Sequence, residues 1–134
     1  MKRTFKIGGF HPADNKISAN ISIETFPVPE KVYISMAQHL GAPATPVVAV
    51  GDSVKVGQVI GEPSGFISGY VHSSVSGKVT AVAPRADIAG NMVMHVEIAV
   101  EGDEWEPSID QTDTIVKEIK ATTEEILEKI QLSG

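Results

Sequence analysis

The glycine-punctuated stretch over residues 47–82 constrains the fold of this chain more than any other feature. It contains the pattern Gly51-Asp52-x-Val54-x-x-Gly57-x-x-Ile60, and Ser76-Gly77-Lys78-Val79 repeats the same device further along. Glycine adopts the positive φ that tight turns need, and an adjacent aspartate can cap such a turn. We therefore expect Val54 and Ile60 to fill a small core between two turns. Short strands at close spacing are typical of a compact β barrel or sandwich, so the predicted fold class is mainly β.

Two further segments have the alternation of β-strands. Residues 31–35 (KVYIS) form one, and residues 92–100 alternate between an apolar face, which belongs on the core, and a more polar face. Residues 20–26 have a weaker period of two. Because Pro27 and Pro29 follow, any strand there should lie at a sheet edge.

The end of the chain changes to helical periodicity. Thr122 and Glu125 have the spacing of a capping box. An apolar stripe follows at helical spacing, formed by Ile126, Leu127 and Ile130. Such a stripe is expected to pack against another apolar surface. This pattern predicts a helix over residues 123–132.

Length and composition limit the classes to which the chain can belong. At 134 residues we expect one compact domain. We divide the chain into an irregular N-terminal arm over residues 1–26, a β domain over residues 27–104 and a tail over residues 105–134, whose helix leads into a next domain outside this chain.

The sequence contains no cysteine, which excludes disulfides, thiol catalysis and iron–sulfur ligation within it. With a net charge of −6 and no basic stripe, it is not expected to bind nucleic acid. No apolar run approaches the roughly 20 residues that cross a bilayer.

Residue types used in catalysis and metal binding are present but scattered. The four histidines lack the paired spacing of metal ligands; they are His11, His39, His72 and His95. His72-Ser73-Ser74 has no positioned acid, so we interpret it as a β-turn and not as part of a catalytic triad. The acidic residues at 101–106 lack the alternating spacing of a calcium-binding loop and are interpreted as a solvated hairpin. We therefore predict no catalytic, cofactor-binding or metal-binding residue in this chain.

The glycine pattern resembles the barrel-sandwich hybrid fold of biotinyl and lipoyl domains, in which two such halves are related by pseudo-symmetry. In carriers of that fold, a modified lysine lies at an exposed hairpin tip between the halves. The matching loop here, residues 62–69 (EPSGFISG), contains no lysine, and Lys55 and Lys78 lie elsewhere. The loop therefore offers no amine for biotin or lipoate, and we reject a swinging-arm role on that ground.

Two segments are candidates for contacts with other domains. One is the apolar tip of a loop rich in glycine, serine and proline, formed by Gly65, Phe66 and Ile67. Two interpretations stay open: Phe66 folds back onto the barrel, or it projects as a docking knob. The second candidate is the loop over residues 36–46, which includes Gln38 and His39.

Longer strings resemble the N-terminal region of the RnfC subunit of the Rnf electron-transport complex. The strings are FKIGGFHPADNK, VYISMAQHLGAPATPVVAVGDSVKVGQVIGE and VHSSVSGKV, and the resemblance runs over residues 5–100. The tail, TTEEILEKIQLSG, resembles the helix that leads into that family's flavin and nicotinamide loop. That loop and the family's later cysteine-rich segments are not in this sequence.

The resemblance implies a non-catalytic structural or docking domain within an enzyme subunit. The family's complex moves electrons between ferredoxin and NAD and couples this to ion transport. FMN, NADH and 4Fe-4S clusters are implied for the parent protein, with no cofactor in this segment. The implied place is the cytoplasmic side of the cell membrane, peripherally, with the remainder of the subunit and other subunits as partners. Two alternatives stay open: a free-standing lipoyl-like binding or carrier domain that lacks the modifiable lysine, and the equivalent module of a related flavin-dependent reductase.

Overall fold

A computed structural model describes residues 12–115 and 117–134 of the chain. The interpretation of His11 lies outside these residues. The described part contains seven strands and one helix: β1 Lys31–Ser35, β2 Thr45–Pro46, β3 Ser53–Val54, β4 Val59–Glu62, β5 Val71–His72, β6 Gly77–Ala86, β7 Met92–Val100 and α1 Thr123–Leu132. The predicted fold class, mainly β, is therefore confirmed.

The strands form two antiparallel sheets that enclose one core. The larger sheet has the strand order β1-β7-β6-β3, and the smaller sheet has the order β2-β4-β5. The core receives side chains from β1, from the loop that follows it and from β3 through β7: Ile34, Met36, Ala44, Val54, Ile60, Val71, Val79, Val96 and Ile98. Val54 and Ile60 are thus buried, as the glycine pattern predicts.

The turn predicted at Gly51 and Asp52 is confirmed, and it joins the two halves of the glycine pattern. Gly51 has a φ of 100°, and the Asp52 carboxylate accepts a hydrogen bond from the N–H of Ala49 at 2.8 Å. The Gly51 N–H donates to the Val79 carbonyl oxygen at 2.8 Å, and the Val79 N–H donates to the Asp52 carbonyl oxygen at 2.8 Å. The turn is therefore paired directly with β6.

The strands β1 and β7 have the predicted bounds and pair with each other. On β7, Val96 and Ile98 face the core and are fully buried, which confirms the apolar face. The weaker periodicity of residues 20–26 does not produce a strand. Those residues lie before Pro27 and Pro29, which have no N–H to donate, so the ladder of β1 does not extend backwards through them.

Helix α1 has the predicted bounds and the predicted cap. The Glu125 N–H donates to the Thr122 hydroxyl at 3.3 Å, and the Thr122 N–H donates to the Glu125 carboxylate at 2.8 Å. The exposed fractions of Ile126, Leu127 and Ile130 are nevertheless 37%, 60% and 63%. The described residues therefore cover this stripe only in part.

No helix within residues 12–115 and 117–134 combines the length and apolar character needed to cross a bilayer. The division of the chain after residues 26 and 104 stays a prediction.

Candidate functional site

The two loops predicted to make contacts lie side by side and form one surface. We call this surface the tip; it comprises residues 36–46 and 63–69. The Ala42 N–H donates to the Ile67 carbonyl oxygen at 2.9 Å. In the opposite direction, the Ser68 hydroxyl donates to the Ala42 carbonyl oxygen at 2.8 Å. In many loops such backbone groups form hydrogen bonds with water, whereas here they form hydrogen bonds between the two loops.

Two further features bring the loops of the tip together. The Ser64 hydroxyl donates to the Pro43 carbonyl oxygen at 2.6 Å. Gly41 has a φ of 99°, and a Cβ atom at this position would overlap the carbonyl oxygen of Ile67. Glycine is therefore required at Gly41 both for its backbone conformation and for the close approach of the second loop.

The side chain of His39 joins the loops at the base of the tip. Its Nδ1 lies 3.1 Å from the Leu40 carbonyl oxygen, and its Nε2 accepts a hydrogen bond from the Gly69 N–H at 3.0 Å. Only a neutral imidazole with its proton on Nδ1 satisfies both contacts. The Gln38 amide donates to the Ser35 carbonyl oxygen at 3.0 Å, so it binds back to its own strand.

The outer end of the tip is apolar and exposed. Phe66 is fully exposed, and the exposed fractions of Leu40 and Ile67 are 90% and 64%. Of the two interpretations left open for Phe66, folding back onto the barrel is therefore wrong. Neither loop of the tip contains Asp, Glu, Lys or Arg, although 21% of the chain is charged. The sequence analysis predicts contacts for residues 36–46 but does not single out Leu40. The absence of charged residues from this loop is the sequence signal that could have indicated its apolar surface.

A second cluster of polar side chains lies on the outer face of the larger sheet, around Glu97. Only 7% of Glu97 is exposed. Its carboxylate accepts hydrogen bonds from Thr80 Oγ1 at 3.0 Å and from Arg85, and Lys31 Nζ lies 2.5 Å away. The Arg85 guanidinium also lies over the Tyr33 ring, 4.3 Å from its centre. The cluster thus links β1, β6 and β7.

The hydrogen bond between Lys31 and Glu97 changes the pKa of both groups. It lowers the pKa of the Glu97 carboxyl, with Thr80 and Arg85 acting in the same direction, and this outweighs the opposing effect of burial. The same bond raises the pKa of the Lys31 ammonium. Sequence periodicity places Glu97 on the polar face of β7 but does not indicate that it is buried there.

The side chains of His72 and Ser73 lie in different surroundings. His72 lines a cleft of about 660 Å³ between the barrel and α1. Ser73 is buried, and its hydroxyl donates to the Val75 carbonyl oxygen at 2.7 Å. Because successive residues at a strand point to opposite faces, the two side chains diverge.

The histidines and acidic residues that the sequence analysis considers as metal ligands do not come together in the described structure. Among the residues that the structure describes, no three His, Asp or Glu side chains lie close enough together to hold a metal ion. The acidic residues 101–104 are exposed and are fastened to the barrel by Ser76. Its hydroxyl donates to the Glu101 carbonyl oxygen at 2.8 Å and accepts from the Glu104 N–H at 3.2 Å.

Comparison with known proteins identifies a family for this arrangement. The family model described as the RnfC barrel sandwich hybrid domain matches residues 3–104. This match confirms the barrel-sandwich hybrid fold and the resemblance to the RnfC subunit.

Several curated relatives share this part of their sequence. The C subunit of the Na(+)-translocating ferredoxin:NAD(+) oxidoreductase complex of Acetobacterium woodii is 50% identical over 108 residues, which is 79% of this chain and 24% of that protein. The C subunit of the proton-translocating ferredoxin:NAD(+) oxidoreductase complex of Clostridium ljungdahlii is 41% identical over 107 residues, or 78% of this chain and 23% of that protein. The C subunit of the ion-translocating oxidoreductase complex of Rhodobacter capsulatus is 34% identical over 133 residues, or 95% and 24% respectively. The chain thus spans about a quarter of the length of these relatives.

Proposed function

Because this chain belongs to the family of RnfC barrel-sandwich hybrid domains, we propose that it is a non-catalytic docking domain of the RnfC subunit in an ion-translocating ferredoxin:NAD oxidoreductase complex. The relatives named above are the C subunits of such complexes. In this proposal the domain is peripheral, lies on the cytoplasmic side of the cell membrane and contributes to electron transport by holding the complex together.

The cofactors of the proposed parent, FMN, NADH and 4Fe-4S clusters, belong outside this chain. Iron–sulfur clusters are held by cysteine thiolates, and the sequence contains no cysteine. The glycines at the tip bring two loops together, and the loop after β4 does not open a helix in the way that nucleotide-binding glycine loops do. Residues of this chain therefore do not fit these groups, and no electron-transfer step is assigned to them.

The exposed and internally bonded tip is the observation that carries the docking role. Leu40, Phe66 and Ile67 project from loops that hydrogen bonds already hold in place. A surface that is ordered before binding loses little conformational entropy on binding. Aromatic side chains are enriched and charged side chains depleted at the centres of protein interfaces, and the tip has this composition. We assign its partner as an uncharged, concave apolar surface on another subunit of the complex.

The carrier alternative lacks the chemistry that it needs. Biotin and lipoate are attached through a lysine amine, and residues 62–69 contain none. Lys55 lies 3.8 Å from the Glu104 carboxylate, away from the tip, and Lys78 lies on β6.

The docking role is tested by Phe66→Asp in the full-length protein that carries this domain. We expect the variant to co-purify with the other subunits at least about tenfold less than the wild type, because a charge replaces the central apolar anchor. Ile88→Asp is the matched control, since Ile88 is equally exposed but lies in the β6–β7 connection. Both variants of the 134-residue chain should unfold at the wild-type temperature. Equal recovery of the two full-length variants would remove the tip from the interface. A third outcome is that both full-length variants co-purify equally with the other subunits, but Phe66→Asp makes the full-length protein less stable. The partner of the tip would then lie within the same polypeptide.

A further inference from the structure

An apolar segment precedes the first strand, and we call residues 17–28 the apolar arm. Its large apolar side chains are 66% to 102% exposed: Ile17, Ile21, Ile23, Phe26 and Val28. One charged residue, Glu24, lies within it. Single exposed apolar side chains are ordinary on protein surfaces, whereas several large ones grouped together mark a surface that becomes covered.

The apolar arm is not a displaced part of the barrel core. The core is formed by side chains between Ile34 and Ile98, and the arm contributes none of them. The chain joins the barrel at Glu30, whose carbonyl oxygen accepts a hydrogen bond from the Val100 N–H at 2.9 Å, directly before β1. The arm is therefore attached to a barrel whose core is formed without it.

The arm begins with a turn, in which the N–H groups of Ile17, Ala19 and Ile21 donate to carbonyl oxygens two or three residues earlier. Beyond this turn its backbone forms no such bonds within the described part of the chain. Residues 22–29 have no regular secondary structure, and they make no backbone hydrogen bond to other described residues. Pro27 and Pro29 favour an extended conformation. A charge-poor, extended segment with alternating Ile21 and Ile23 has the properties of a peptide that lies in a groove on another domain.

We infer that the apolar arm binds an apolar groove on the part of its own polypeptide that lies outside this chain. This inference rests on the proposed function, because it requires a longer RnfC protein. The family model begins at residue 3, so the arm belongs to the family's domain and is not an addition peculiar to this chain. The relatives are about four times as long as the region that they share with it, so most of such a protein lies elsewhere.

The covalent connection through Glu30 favours a partner in the same polypeptide. A tethered segment meets its groove at a high effective concentration, which offsets the entropy lost when the segment becomes ordered. Residues 17–28 can reach up to about 40 Å when extended. That reach is enough to cross a neighbouring domain of ordinary size.

A lipid surface is a less suitable occupant. For a lipid surface, the arm lacks basic residues: Glu24 and Glu30 are the charged residues between Lys16 and Lys31. Anionic headgroups repel such a segment.

Amide hydrogen exchange, measured on the 134-residue chain and on the full-length protein, tests the inference. We expect the amides of residues 20–26 to exchange rapidly in the 134-residue chain and at least about tenfold more slowly in the full-length protein. The amide of Ile88, which is exposed in the β6–β7 connection, should exchange equally fast in both. Equal exchange of the arm in both proteins overturns the inference.

A photo-crosslinking amino acid in place of Phe26 identifies the occupant. In the full-length protein we expect an intramolecular crosslink to a segment beyond residue 134, with the same substitution at Ile88 as the control. Crosslinks to a second copy, to lipid or to residues 12–134 each overturn the inference. If the full-length protein with Phe66→Asp stays in the complex while these crosslinks form as expected, the tip assignment fails and the arm stands.

Discussion

His39 and Gly69 are joined by a hydrogen bond of 3.0 Å, in which the backbone N–H of Gly69 donates to Nε2 of the imidazole. The two residues are 30 positions apart, and each belongs to a different loop of the tip. The second ring nitrogen of His39 contacts the Leu40 carbonyl oxygen at 3.1 Å. One neutral side chain thus sets both the spacing of the loops and the backbone from which Leu40 projects.

Replacing His39 should loosen the tip without unfolding the barrel. His39→Ala leaves the Gly69 N–H without its acceptor, and we expect a loss of about 0.5–1.5 kcal/mol in the free energy of unfolding. The Gly69 amide should also exchange faster with solvent. Gln38→Ala is the matched control, because that side chain reaches only the Ser35 carbonyl oxygen. Urea unfolding and amide exchange measure both effects. Unchanged exchange at Gly69 in His39→Ala would show that the bond is not formed in solution.

Glu97 should make the stability of the barrel depend on acid pH. Its pKa is lowered in the folded chain, chiefly by Lys31, so its contribution is present above the ordinary carboxyl pKa and is lost as the pH falls through the folded value. Glu97→Gln also leaves Lys31 and Arg85 close together without their shared carboxylate. We therefore expect this variant to be less stable than wild type at neutral pH.

The difference between Glu97→Gln and wild type should shrink as the pH falls below the ordinary carboxyl range of about 4. Urea unfolding from about pH 3 to pH 7 measures it. The exposed Glu62→Gln serves as the control and should show little effect at any pH. A difference that stays constant over this range contradicts the assigned ion pair. The raised pKa of Lys31 acts at the other end of the scale, where its contribution is lost as the pH rises through the folded value.

Two glycines of the repeated pattern should differ in their tolerance of alanine. Gly51 has a φ of 100° with open space around its Cβ position, so Gly51→Ala should cost about 1–2 kcal/mol from the backbone conformation alone. At Gly77, which has a φ of 153°, an added Cβ would also overlap the Ala99 carbonyl oxygen across the β6–β7 ladder. Gly77→Ala should therefore lose a further 1–3 kcal/mol or so. Urea unfolding of both variants gives the comparison, and equal losses would contradict the close approach at Gly77.

Acylating enzymes should leave the chain unmodified. After co-expression with a biotin or lipoate ligase, the intact mass should equal that of the unmodified 134-residue chain. A carrier domain with a lysine at its hairpin tip, expressed in the same cells, shows that the ligase is active. An added mass on this chain would restore the carrier alternative, and peptide mapping would then locate the modified residue.

Local patterns explain why the elements could be predicted so closely. Gly51 and Gly57 occur where the chain must turn with positive φ, and Thr122 and Glu125 can cap only the start of a helix. These signals act between near neighbours in the sequence. The tip depends on Ser68 and Ala42, which are 26 residues apart and meet through a hydroxyl and a backbone carbonyl group. Such groups carry no partner-specific signal in the sequence, so sequence patterns indicate the two loops but not their pairing.

The cluster at Glu97 shows a second limit of pattern reading. Alternation places Glu97 on the polar face of β7, but burial depends on which residues the neighbouring strands bring to that face. The pairing of β6 with β7 is irregular between Val79 and Ala81, beside Thr80. Such irregularities re-aim side chains, and here Thr80 contacts the Glu97 carboxylate. The register and the bulge are properties of three strands together, which no single segment predicts.

The lack of formal charge in the tip has a consequence for how the assembled protein responds to its surroundings. Salt weakens contacts by screening charges, and residues 36–46 and 63–69 contain no Asp, Glu, Lys or Arg to be screened. A contact made there is therefore not weakened by the screening of charges, and salts that strengthen apolar burial would strengthen it. For a domain proposed to serve in an ion-translocating complex, a rise in salt concentration would then not detach it at the tip.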